Sequence, residues 1–124
     1  MTEAREPMPQ PAPHLLLLAD RGAPRTATLL RAAGYAVSAV NHPAMVERFD
    51  DGVVIELPAL AAISIVRRIE ARRRDVPILV ISAEAESVRR ALPSVRVIRP
   101  DDVDDDLVSA MDLALAGQQL RLTG

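Results

Sequence analysis

Leu15-Leu16-Leu17-Leu18-Ala19 decides the fold. Five consecutive apolar residues with no polar alternation suit a strand buried on both faces, which is the condition of a parallel sheet covered by helices. The run is far too short to span a bilayer. It stops at Asp20-Arg21-Gly22, and three further runs repeat its character: Val53-Val54-Ile55, Ile78-Leu79-Val80-Ile81 and Val95 to Ile98. A fifth strand is expected over Tyr35 to Val40.

Between these runs the pattern changes to helical spacing. Pro24 suits a first helical position, Ala27, Leu29, Leu30 and Ala33 give an apolar face, and Gly34 is a left-handed stop. Asn41 or His42 is placed to cap a short helix from Pro43 that ends before Gly52. From Ala59 to Arg74, Ala62, Ile65, Val66 and Ile69 lie on one face while Arg67, Arg68 and Arg72 to Arg74 fill the other side and the last turn. Glu84 to Leu92 has room only for a short helix before Pro93. Asp101 or Asp102 can cap the last helix, with Asp104 to Asp106 at the positive end of its dipole and Leu107, Ala110, Met111 and Ala114 as its inner stripe.

Strands that alternate with helices through short connections require crossovers, so they predict a three-layer α/β sandwich with a five-stranded parallel sheet and five helices. Residues 1–13, with Pro7, Pro9, Pro11 and Pro13, read as a disordered arm; 14–119 is the folded domain and 120–124 a C-terminal tail.

Composition narrows the function. With 15 basic and 17 acidic residues the net charge is −2, which recommends neither nucleic acid nor an anionic membrane as partner. The chain has no cysteine, so disulfides, thiolate metal sites and cysteine nucleophiles are excluded together. Tyr35 and Phe49 are the only aromatic residues, too few for base-stacking platforms. Asp20-Arg21-Gly22-Ala23-Pro24 lacks the spaced glycines of a nucleotide-binding loop. His14 and His42 are too few and too badly spaced for a metal or triad assignment. A cytoplasmic, reducing setting fits, and these residues call for no cofactor or metal.

In open α/β sheets functional groups gather just beyond the carboxyl ends of the strands. Here those positions hold Asp20, Glu56, Ser82 and Arg99. Asp51-Gly52-Val53-Val54-Ile55-Glu56, Pro77-Ile78-Leu79-Val80-Ile81-Ser82-Ala83 and Gly34-Tyr35-Ala36-Val37 complete a pattern that resembles the receiver domain of bacterial response regulators, over about residues 14–117. The resemblance implies the flavodoxin-like (βα)5 fold. It also implies a site with two acidic residues after the first strand, a phosphoaccepting Asp after the third, a Thr or Ser after the fourth and Lys-Pro after the fifth.

Set against that pattern, the site is degenerate. Ala19 stands where one magnesium ligand would be, and Glu56 replaces the acceptor Asp, moving its carboxylate by about 1.5 Å. Phosphoryl transfer between anions needs the metal that the missing carboxylate would help hold. Glu56 either imitates a phosphorylated Asp toward Ser82 and Arg99 or simply pairs with Arg99 in a decayed site. Ser82 either binds the site's anion or caps the following helix. Arg99 precedes Pro100, for which the resemblance implies a cis peptide. Ser82 and Arg99 are only 17 positions apart, fewer than the family usually has, so the helix between them is short. Arg96 stands where the family often has an aromatic switch residue.

These residues point to a non-catalytic receiver-like signalling module that acts through protein contacts. Leu113, Ala116 and Leu120 form a second stripe on the last helix, suited to a partner protein or a second copy, unless Gly117 ends the helix there. The alternatives are a phosphorylatable single-domain response regulator and a small-ligand-binding flavodoxin-like domain.

Overall fold

The structure is a computed structural model that describes residues 12–20, 23–41, 51–72 and 75–123, with side chains described as far as Gly117 in the last helix. Its elements in chain order are β1 (His14–Ala19), α1 (Pro24–Ala32), β2 (Ala36–Val40), β3 (Gly52–Glu56), α2 (Ala59–Arg72), β4 (Ile78–Ile81), α3 (Ala85–Ala91), β5 (Arg96–Ile98), a 3-10 turn (Pro100–Asp102) and α4 (Val103–Thr123). The five strands form one sheet in the order β2-β1-β3-β4-β5, every pair parallel. The short helix expected from Pro43 lies outside the described residues.

Strand alternation sends each apolar run to both sides of the sheet. Leu16, Leu18, Val53, Ile55, Val80 and Val97 face α2 and α3, where they meet Ala62, Val66, Ile69 and Val88. Leu15, Leu17, Val54, Leu79, Ile81 and Ile98 face α1 and α4, where they meet Ala27, Leu30, Leu107 and Met111. The three central strands are almost wholly excluded from solvent, as the unbroken apolar runs predict. Ile65, expected on the inner face of α2, is only partly buried.

Local devices fix the helices. Pro24 opens α1, and Gly34, with φ 101°, follows its end in the left-handed region that the sequence assigned to it. Ala23 also has positive φ, 41°, just before the helix. At Gly52 a Cβ would stand 3.0 Å from Met111 Cε and 3.1 Å from Leu15 Cδ2, so the absent side chain is what lets α4 settle on β3. Two polar ties hold α4 in place: Arg25 forms a two-pronged pair with Asp104, and the Tyr35 hydroxyl donates to Asp112 Oδ1. Both sheet edges carry an arginine on an outward carbonyl. Arg31 Nη2 donates to Val37 O on β2 and Arg89 Nη2 to Val97 O on β5, each at 3.0 Å.

Just before β1, Pro13 O accepts from Ala36 N at 3.0 Å. Two expectations are corrected by the backbone. The last helix follows a 3-10 turn that contains Asp101 and Asp102, and it continues through Gly117 to Thr123, past the expected stop and into the expected tail. A single glycine costs an α-helix only about 1 kcal/mol and does not by itself end one. Finally, Arg99–Pro100 is not cis: Arg99 is extended at φ −87°, ψ 154°, and Pro100 opens the 3-10 turn, a position its fixed φ suits in the trans form.

Candidate functional site

Register brings the four strand-end residues to one edge. Ala19 pairs with Glu56, Glu56 with Ile81 and Ile81 with Ile98, so one row crosses the sheet, with Asp20, Ser82 and Arg99 each one residue beyond it. Among the described residues no hydrogen bond or ion pair joins the four side chains.

Glu56 has the same strand parity as Val54 and so turns toward α1 and α4. There Thr26 Oγ1 donates to Glu56 Oε1 at 2.5 Å. Thr26 lies in the first turn of α1 and is 2% exposed. The expected Glu56–Arg99 pair does not form: among the described residues no ion pair joins them, and Arg99 is exposed. One reason is lateral distance, since β4 intervenes and two strand spacings amount to about 10 Å. A nearer hydroxyl already satisfies the half-buried carboxylate.

Ser82 is 2% exposed. Its amide donates to Ile98 O at 3.1 Å, and its Oγ accepts from Glu84 N at 3.3 Å. Of its two anticipated uses, the hydroxyl thus serves the turn that leads into α3. Asp20 is exposed at the end of β1. α3 has seven residues, the short helix that the Ser82-to-Arg99 spacing required.

Glu84 was not anticipated. Its Oε1 accepts from Ala59 N at 3.3 Å, which joins the loop after β4 to the first turn of α2. That turn has no acidic residue of its own, so a carboxylate supplied from the neighbouring loop meets the positive end of the helix. The only signal in the sequence was this missing first-turn acid. Thr26 had no signal beyond its position one turn into α1.

A magnesium ion of the kind receiver chemistry requires does not fit this donor set. Ala19 supplies no carboxylate beside Glu56, and Glu56 Oε1 is taken by Thr26, which leaves Asp20 and Glu56 Oε2 as the only acidic oxygens at this edge among the described residues. Among the described residues no three histidine or acidic side chains converge.

On the last helix, Leu113 is 54% exposed and Ala116 is exposed; the Leu120 side chain lies outside the described residues. A second exposed leucine was missed by the sequence reading: Leu60, at the start of α2, is 85% exposed. Arg67, Arg68 and Arg72 line the outer face of α2, while Arg73 and Arg74 lie outside the described residues. His14 Nε2 lies 2.8 Å from Ser38 Oγ, a structural contact between β1 and β2, and His42 lies outside the described residues. A groove of about 240 Å3 is lined by Glu70, Val76, Pro77, Val95, Arg96 and Leu113. It sits where β4 and β5 begin, at the opposite edge from Glu56, rather than at the strand ends where a small-ligand site was anticipated. No helix of the described residues is long and apolar enough to cross a membrane.

No family model matches the chain, and no curated protein does. Solved structures do. A response regulator receiver protein from Sinorhizobium medicae is 22% identical, with a TM-score of 0.68 over 86% of this chain and 97% of that one. The chain has the fold of a response-regulator receiver domain. A second receiver structure, response regulator TrrA from Thermotoga maritima in complex with magnesium and beryllofluoride, is 17% identical, with a TM-score of 0.63 over 82% of this chain and 97% of that one. The receiver fold is shared more widely: a Rhodopirellula baltica structure described as adenylate cyclase gives a TM-score of 0.72 at 12% identity, over 90% of this chain and 93% of that one.

Proposed function

We propose that this chain is a non-catalytic, cytoplasmic signalling module of receiver type that works by binding protein, with its last helix as the docking element. The observation that carries the reading is the Thr26–Glu56 hydrogen bond. A carboxylate engaged by a buried hydroxyl, set one methylene further out than an Asp and with Ala19 beside it, is poorly placed for in-line attack on a phosphoryl group. Among the described residues no cation pairs with Glu56 to offset the repulsion between the two anions. Protein contact then remains as the output, and the exposed Leu113 and Ala116 on α4 offer an apolar surface for it. Neither nucleic acid nor membrane is a partner in this reading.

Incubating the chain with acetyl phosphate and magnesium, followed by intact mass measurement, tests the reading. The expected result is unmodified protein. A phosphoryl adduct that disappears in Glu56→Gln would overturn it and establish the phosphorylatable alternative.

A further inference from the structure

We infer that the surface which docks on α4 is the outer face of α2 of a second copy, with the two helices antiparallel. This inference rests on the last helix being the docking element and names what it binds. Among the described residues the exposed large hydrophobic side chains are Leu60 on α2 and Leu113 on α4. When Leu60 is set opposite Leu113 and the helices run in opposite directions, four further exposed positions of α2 meet polar partners on α4 and the turn before it. Ser64 meets Ser109, Arg67 meets Asp106, and Arg68 meets Asp105. Continued into the 3-10 turn, the same register sets Arg72 opposite Asp101. All of these residues are exposed.

The charges are available for this use. The described ion pairs are Arg25–Asp104 and Arg89–Glu86, and Asp112 is held by Tyr35. None of Arg67, Arg68, Arg72, Asp101, Asp105 or Asp106 has an ion-pair partner among the described residues. α2 therefore presents an apolar residue followed by unpaired cations, and α4 presents unpaired anions followed by an apolar residue. Ser64 and Ser109 between the two ends are small enough for close helix approach. Such charge matching sets register and suppresses wrong partners more than it adds affinity.

α2 and α4 cover opposite faces of the sheet. One copy thus offers its α4 on one side while its α2 remains open on the other. The contact is head-to-tail and does not close in a pair, so species grow with concentration.

Sedimentation velocity of the full chain over a concentration series tests this, at about 10 mM and about 1 M salt, where screening lengths are roughly 30 Å and 3 Å. The expected result is growth with concentration at low salt that is weaker at high salt. Arg68→Glu and Asp105→Arg should each weaken association at least tenfold, because each sets like charges against each other. An equimolar mixture of the two variants should recover wild-type association, since the introduced glutamate then faces the introduced arginine. Arg67→Glu with Asp106→Arg repeats the cycle if thermal melting shows either variant unfolded.

A chain that stays monomeric at low salt overturns the inference, as does association that survives both reversals. Loss in Asp105→Arg alone, without recovery in the mixture, overturns the α2 assignment but leaves α4 as the docking element. A phosphoryl adduct on the wild type after acetyl phosphate treatment, lost in Glu56→Gln, is a separate failure, that of the non-catalytic reading.

Discussion

Thr26 Oγ1 donates to Glu56 Oε1 across 2.5 Å and joins the first turn of α1 to the end of β3. Thr26 is 2% exposed, so its hydroxyl has no water to fall back on. Thr26→Val keeps the shape and removes the donor, leaving a half-buried carboxylate short of a partner. The expected loss of stability is about 1–2 kcal/mol, read by chemical denaturation. Thr26→Ser should recover most of it, and equal stability of the valine variant would show that water replaces the contact.

Tyr35 is the sole tyrosine, so its ionisation can be followed by absorbance without ambiguity. Burial raises its pKa above the ordinary value, and the hydrogen bond and negative charge of Asp112 raise it further. The folded state therefore keeps the proton more tightly than the unfolded chain does. This contribution to stability is fully present below about pH 10, the unfolded value, and is lost as the pH climbs above it toward the folded pKa. Denaturation midpoints should fall in that alkaline range. Asp112→Asn should bring the phenol's titration to lower pH while α4 remains folded.

Gly52 admits Met111 and Leu15 at distances that a Cβ would bring to 3.0 and 3.1 Å. Gly52→Ala requires those side chains to yield. The mobile end of Met111 can move, whereas Leu15 is fully buried, so the expected cost is about 1 kcal/mol, at the lower end of overpacking penalties. A thermal melt of the single variant measures it.

Arg31 and Arg89 each occupy a carbonyl on a strand that ends the sheet. Covering outward edge groups is a recognised guard against strand addition. The double variant Arg31→Ala with Arg89→Ala should aggregate faster than wild type during mild heating, as followed by light scattering, with little change in circular dichroism beforehand. Unchanged aggregation would mean that the strands are protected by other means.

The fold was legible because burial on both faces leaves an unmistakable mark: Leu15 to Leu18, Val53 to Ile55 and Ile78 to Ile81 carry no polar residue. The strand-end positions followed from that reading, so Asp20, Glu56, Ser82 and Arg99 were found. Their partners were not. Thr26 is thirty residues from Glu56, and only the packing of α1 on the sheet makes the two neighbours. The Glu56–Arg99 pair was anticipated from opposite charge alone, but pleat direction and an intervening strand outweighed it. Likewise Gly117 carries the composition of a stop, yet α4 continues through it to Thr123. Leu60 was overlooked because a single leucine in an arginine-containing helix breaks no periodic rule.

We propose that the strand-end edge holding Asp20, Glu56, Ser82 and Arg99 does not bind a phosphoryl group with its metal. Amide spectra of the labelled chain, recorded while magnesium and beryllofluoride are added, test it most directly. The account predicts no saturable shifts around Asp20, Glu56, Ser82 and Arg99. Shifts centred on Glu56 that saturate with beryllofluoride and require magnesium would contradict it.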